Sequence, residues 1–181
     1  MDEKRRRFEA QALPHLDAAY NLARWLVRPP LEADDIVQEA ILRAFRAFDS
    51  LRGEDIKPWL LSIVRNCFLT AAAKSKDRHH VPIPMDEGIG ADPAFVAGEP
   101  DPESALIEAD RARALNAVIA SLPQEFRETL ILREMEDLSY RDIAEITGVP
   151  VGTVMSRLAR ARALLKARCH FALEARVHAV Q

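Results

Sequence analysis

The sequence predicts an all-α protein of two small helical domains joined by a flexible linker, the C-terminal one a four-helix domain ending in a helix-turn-helix. Three observations lead there. Apolar residues recur at three-four spacing through most of residues 8–71 and 105–165. Only 6 glycines and 6% aromatic residues argue against an all-β chain. Between the two periodic stretches, prolines 82, 84, 93 and 100 and glycines 88, 90 and 98 exclude regular helix. The expected divisions are residues 1–76, a linker over 77–100, and residues 101–181.

Composition narrows the function classes. A chain of 181 residues that is 49% hydrophobic can bury one or two cores. Cys67 and Cys169 lie far apart, in neither a disulfide framework nor a zinc spacing, which fits a reducing cytoplasm. His79-His80 has no second ligand pair, so no metal and no cofactor is expected. No apolar run approaches the roughly 20 residues of a membrane span, and MDEKRRRFEA lacks the apolar core of a signal peptide, so membrane insertion is not expected either. The net charge of -3 is unevenly distributed: +2 over residues 1–76, -6 over 77–107 and +1 over 108–181. Acid gathers in the middle, and Pro150 to Arg168 carries five basic residues and no acid.

Taken in order, Leu13, Leu16, Ala19, Tyr20, Ala23 and Leu26 make one helical stripe between Phe8 and Val27, with Pro14 placing the regular start nearer His15. Pro29-Pro30 ends it. A second helix, Ala33 to Phe48, has Ile36, Val37, Ala40, Ile41, Ala44, Phe45 and Phe48 on its apolar side. Its other side holds Asp35, Gln38, Glu39, Leu42 and Arg46. A leucine among acids there is either a scattered surface residue or part of a partner-binding face.

Asp49 to Asp55 reads as a loop, and Pro58 is placed to open a third helix in its first turn. Leu60, Ile63, Val64, Cys67, Phe68 and Ala71 should point inward, and Ser62, Arg65, Asn66 and Leu69 outward. The acidic Pro/Gly segment then reads as an extended tether. Asp101-Pro102 starts a new helix that runs to Ser121, and Gln124 to Met135 forms another with Phe126, Leu130, Ile131 and Met135 inside.

The final pair of helices carries the most chemistry. Ser139-Tyr140-Arg141-Asp142 fits a capping box, so a helix starts near Tyr140. Gly148 supplies a left-handed end and Pro150 blocks continuation. A second helix restarts near Val151 with Val154, Leu158, Ala161 and Leu165 on its buried stripe. The opposite side at its N-terminal end holds Gly152, Thr153, Met155, Ser156, Ala159 and Arg160, the side a DNA major groove would meet. The tail after Arg168 can continue this helix and has no assigned role. There is no Gly-rich phosphate loop, nucleophile elbow or paired His/Cys set, so an enzyme is not expected.

Three motifs in one order, DDIVQEAILRAF, KPWLLSIVRN and LPQEFRETLILREMEDLSYRDIAEITGVPVGTVMSRLARARALL, resemble the extracytoplasmic-function (group IV) RNA polymerase sigma factors over nearly the whole chain. The resemblance implies a first domain that binds the clamp of the large subunit of core RNA polymerase and melts the minus-ten element, and a second that reads the minus-thirty-five element of promoter DNA. It assigns Asp35, Gln38, Glu39 and Leu42 to polymerase. Asp49, Leu51 and Arg52 in the loop, with Arg65 and Asn66, are assigned to the non-template strand. Thr153, Met155, Ser156, Arg157, Ala159 and Arg160 are assigned to the upstream duplex. Many family members have Lys or Arg where this chain has Met155, and Arg157 is a candidate substitute for the missing phosphate contact. Arg160 is the best candidate for a guanine contact. The resemblance also implies control by an anti-sigma factor. Two other readings are a sigma-like decoy that sequesters an anti-sigma factor without DNA, and an ordinary repressor or activator, which leaves the DDIVQE face unexplained.

Overall fold

The computed structural model describes the backbone of residues 2–27, 31–51, 55–78 and 102–178, and the side chains of 3–27, 31–51, 55–75 and 111–169. Arg52, His79-His80, the tether and the cap at Asp101 lie outside these residues. Among them the regular elements are helical: α1 (Asp2–Ala12), α2 (Leu16–Leu26), α3 (Ala33–Ala47), α4 (Ile56–Arg78), α5 (Pro102–Ala120), α6 (Gln124–Glu134), α7 (Tyr140–Thr147) and α8 (Val151–His178). Short 3₁₀ turns at Leu13–His15 and Phe48–Ser50 join α1 to α2 and close α3.

In the first domain α2, α3 and α4 pack on one another, and α1 is held against them by Phe8, whose ring meets Phe45 and Phe48 edge-on, each at 5.3 Å between centroids. Helix therefore begins well before His15. Pro14 is absorbed by the 3₁₀ turn, where its missing N–H costs little. Within α2 the buried side is centred between Ala19, Leu22, Ala23 and Leu26, and at about 100° per residue Leu16 and Tyr20 fall to one flank of it. The core side of α2 is Ala19, Leu22, Ala23 and Leu26, whereas Leu13, Leu16 and Tyr20 are exposed, against the stripe expected from sequence.

Helix α3 keeps to its pattern: Ile36, Val37, Ala40 and Ala44 are buried. Helix α4 starts two residues before Pro58, with the Lys57 N–H donating to Asp55 Oδ1 at 3.0 Å, so the proline still falls in the first turn. It continues through Arg78, past the expected boundary at 76. Both Leu60 and Leu61 are fully buried, because α4 is covered by α2 and α3 on one side and by α7 on another.

In the second domain α6, α7 and α8 pack together and α5 lies on α8. Six consecutive residues of α6, Arg127 to Leu132, are buried, since α8 covers one side and α2 of the first domain the other. Arg127 donates to the carbonyls of Ala120 at 2.7 Å and Leu122 at 3.4 Å, closing the end of α5. After α6 the chain reverses through Asp137, a non-glycine residue at φ 51°. This reversal turns Glu136 inward and leaves Met135 exposed, so Met135 is not the core residue its spacing suggested.

Candidate nucleic-acid interface

The helix-turn-helix is fixed by local chemistry. The Asp142 N–H donates to Ser139 Oγ at 3.1 Å and the Ser139 N–H donates to Asp142 Oδ2 at 3.2 Å, a reciprocal box that satisfies donors at the start of α7. Gly148 ends that helix at φ 69°, ψ 29°, with its N–H on the Ala144 carbonyl at 2.8 Å. Left-handed backbone there favours glycine. Helix α8 restarts at once, with the Thr153 and Val154 N–H groups on the Pro150 carbonyl at 2.8 and 3.1 Å.

From this base α8 separates into two sides. Val154, Leu158 and Ala161 are buried against α6 and α7. Met155, Ser156, Ala159 and Arg160 face solvent, Met155 with 54% of its surface exposed, and Thr153 is half-buried. A Cβ at Gly152 would meet nothing within 4 Å, so this position at the N-terminal end of the helix is open. Arg157 differs from these: it is half-buried, and its Nη2 donates to Glu125 Oε2 at 3.3 Å. Arg162 is paired with Glu134 at 2.5 Å, and Arg168 donates to the Ser121 carbonyl at 2.7 Å and to its hydroxyl. No carboxylate among the described residues pairs with Arg160.

The acid-and-leucine face of α3 is also open. Asp35 and Gln38 are exposed, Leu42 is 51% exposed, and Glu39 accepts from Arg43 Nε at 2.6 Å. That hydrogen bond raises the pKa of Arg43, because it favours the charged guanidinium. Beside these acids a cleft of about 370 Å³ reaches Cys67, whose thiol is buried. Burial pushes the Cys67 pKa up, with Arg43 pulling the other way. Among the described residues no three His, Cys, Asp or Glu side chains converge as metal ligands would.

The candidate strand-capturing residues are placed less uniformly. Asn66 is exposed, Leu51 is half-buried, and Asp49 accepts from Lys4 of α1 at 2.6 Å. Arg65, expected to point outward, is 18% exposed, and its Nε donates to Glu128 Oε1 of α6 at 2.5 Å; the Glu128 side chain is 4% exposed. Arg65 and Arg157 line one cleft together with Gln124, Glu125 and Glu128.

Sequence reasoning missed the residues that join the domains. Glu136, its side chain 6% exposed, accepts from Lys57 Nζ at 3.1 Å and from Asn21 Nδ2 at 2.7 Å, and Lys57 also donates to the Glu136 carbonyl at 2.8 Å. The available signal was faint: Arg127, Glu128 and Thr129 are polar residues in the run that leads into LIL, which is unusual for a helix with one wet side.

Comparison with known proteins agrees with this architecture. Residues 13–78 match the family model for sigma-70 region 2, and residues 112–165 match that for sigma-70, region 4. The chain is 34% identical over 165 residues to the RNA polymerase sigma-H factor of Pseudomonas aeruginosa, covering 87% of this chain and 83% of that protein. It is 35% identical over 143 residues to the ECF RNA polymerase sigma-E factor of Haemophilus influenzae, covering 73% and 71%. Against the ECF RNA polymerase sigma factor SigE of Mycolicibacterium smegmatis it is 32% identical over 152 residues, which is 84% of this chain and 57% of that longer relative. Among solved structures, the sigma factor RpoE of Bartonella quintana, in complex with the anti-sigma factor NepR, superposes with a TM-score of 0.73 at 29% identity over 90% of this chain and 96% of that one. CnrH, in complex with the cytosolic domain of CnrY, shares the fold at a TM-score of 0.60 and 23% identity over 90% and 87%.

Proposed function

Because this chain belongs to the extracytoplasmic-function RNA polymerase sigma factors, we propose a two-point promoter reader in which α8 reads upstream duplex, α4 and the loop before it capture the melted downstream strand, and α3 docks on core polymerase. Sigma factors of this family are initiation factors and not enzymes; the chemistry of RNA synthesis belongs to the polymerase. The upstream reader is the helix-turn-helix of residues 101–181. Thr153, Met155, Ser156, Ala159 and Arg160 face the major groove, and Arg160 makes the bidentate guanine contact its donor fork suits. Arg157 supports the duplex from the edge of that face. The downstream reader is residues 1–76, where Asp49, Leu51, Arg52, Arg65 and Asn66 hold an unstacked base and its strand. Asp35, Gln38, Glu39 and Leu42 contact the clamp of the large subunit, an acidic rim about an apolar anchor.

The observation that carries this reading is the division of α8 into a fully buried stripe and an open side ending in Arg160, which no described carboxylate pairs. The exposed Leu42 among acids on α3 supports a second, protein-binding role that an ordinary repressor would not need. No described helix is long and apolar enough to cross a membrane, and a factor that works on polymerase acts in the cytoplasm. Since a structural neighbour was solved with an anti-sigma factor, the same kind of partner is proposed to hold this chain inactive.

The decisive experiment is transcription in vitro with core polymerase and promoter fragments selected by the reconstituted holoenzyme. Initiation that depends on this chain is expected, and its absence would leave the decoy and the repressor readings, which binding to promoter DNA alone would then separate. The triple variant Asp35→Ala, Glu39→Ala, Leu42→Ala should lose core binding in a pull-down while keeping its helical circular dichroism; retained binding would remove α3 from the polymerase interface.

A further inference from the structure

The basic residues of α8 are not equally free to meet a duplex. Arg157 is bonded to Glu125, Arg162 to Glu134 and Arg168 to Ser121, so three of the five spend donors on the protein itself. Arg160 and Lys166 are exposed, and among the described residues no carboxylate pairs with either. The N-terminal turns of a recognition helix are the part that meets base edges. Here they hold no charged residue from Val151 to Ser156. They carry apolar surface instead: Val151 is 42% exposed and Met155 54%.

Met155 is no part of the core, so its thioether chain lies in water with nothing in the fold to gain from it. At about 100° per residue Met155 and Ala159, four apart, share one flank of the outward side, and Arg160 lies about 140° around from Met155 on the other. Along the axis Met155 and Arg160 are about 7.5 Å apart, roughly two base-pair steps of about 3.4 Å. A helix laid in the groove therefore brings an apolar flank to one base pair and a guanidinium fork to another close by. The apolar group that a base pair displays in the major groove is the C5 methyl of thymine; the other edge groups are donors and acceptors, which a thioether cannot satisfy. An unbranched methionine can also adjust its chain to reach such a methyl.

We propose that Met155 is a specificity-determining residue that reads the C5 methyl of a thymine in the upstream element, one to three base pairs from the guanine met by Arg160. This role rests on α8 as the proposed upstream reader and adds the base that one flank of it selects. With so few cations free, α8 leans on base edges more than on phosphates, and its affinity should respond weakly to salt.

The probe is a duplex library with a randomised upstream element, selected with the full chain bound to core polymerase. The enriched element should contain a guanine whose replacement weakens the wild type but not Arg160→Ala, and a thymine within three base pairs of it. Deoxyuridine in place of that thymine removes only the methyl and should weaken wild-type binding about fourfold, the effect of returning one methyl to water. Met155→Ala should bind the thymine and deoxyuridine duplexes nearly equally, whereas Met155→Leu, still apolar, should keep the discrimination. Met155→Lys should lose it and steepen the salt dependence, adding about one to the slope of log affinity against log salt. Circular dichroism should be the same for all of these, because the position is exposed. Wild-type binding that tolerates deoxyuridine at every thymine would overturn the methyl-reading role, as would Met155→Ala keeping the full fourfold loss. A selection that enriches no sequence overturns α8 as the upstream reader and the methyl role with it; an enriched element whose methyls do not depend on Met155 overturns the methyl role alone. The chain without polymerase is carried through the same selection, so a failure to bind core, which would sink the sigma reading, still leaves the deoxyuridine comparison readable.

Discussion

Two arginines with proposed DNA roles sit in opposite circumstances. Arg160 on α8 is exposed and no described carboxylate pairs with it, whereas Arg65 on α4 is mostly covered and bonded to Glu128. The difference teaches that availability is set by domain packing and not by the helix that carries the residue. The proposed duplex reading needs only a rigid hairpin with one clean side, which the second domain has in this arrangement. The proposed strand-capture surface includes Arg65, which the same domain covers in part.

Mutations within α8 test how cleanly the reading side is separated from the fold. Leu158→Ala should cost about 3 kcal/mol of stability, because a fully buried leucine leaves a cavity between α6 and α8. Urea unfolding checks this, and a loss below about 1 kcal/mol would mean that the stripe is not the packing seam. Arg160→Ala, two residues on, should leave stability within about 0.5 kcal/mol. The same change should weaken binding to the cognate upstream element by about 1–3 kcal/mol and leave scrambled DNA nearly unaffected. Equal losses on both duplexes would assign Arg160 to phosphate contact instead of base reading.

Smaller effects probe how each side is held. Ser139→Ala removes the cap that starts α7 and should cost about 1 kcal/mol, visible in the same unfolding curves. The two cysteines give the mildest readout. Burial raises the Cys67 pKa, so its neutral thiol is the form the fold favours; that contribution is present at neutral pH and falls away as pH rises above the unfolded thiol's value. Alkylation of Cys67 in the folded protein should therefore lag behind the half-exposed Cys169 and rise only at more alkaline pH. Equal rates at pH 8 would show that the α3–α4 seam opens readily.

Legibility in the sequence tracked the range of the forces. The capping box at Ser139, the left-handed Gly148 and the Val154-Leu158-Ala161 stripe depend on neighbours within a few residues, and each was legible. The α2 stripe was legible only in part: Ala19, Ala23 and Leu26 are buried, but the packed side is centred toward Leu22 and leaves Leu16 and Tyr20 on its exposed flank, a choice that the packing of α3, α4 and α6 makes. Met135 was misplaced by a backbone reversal at Asp137, a residue whose left-handed geometry its type permits without announcing. The junction was not legible at all. Arg65 and Glu128 are 63 positions apart, and either reads as ordinary solvated charge until the partner helix is in place. Burial of charge in pairs leaves no periodic trace, because periodicity records only the apolar half of a packed surface.

The partition of α8 has one more consequence. Met155, Ser156, Ala159 and Arg160 are exposed and pack no core, while Val154, Leu158 and Ala161 hold the hairpin together. Side chains on the outer set can be exchanged almost freely without loosening the scaffold, including a lysine or arginine at Met155. On the proposed reading, the sequence recognised can therefore be redirected by changing a few outward letters, one groove contact at a time, while the scaffold that presents them stays the same.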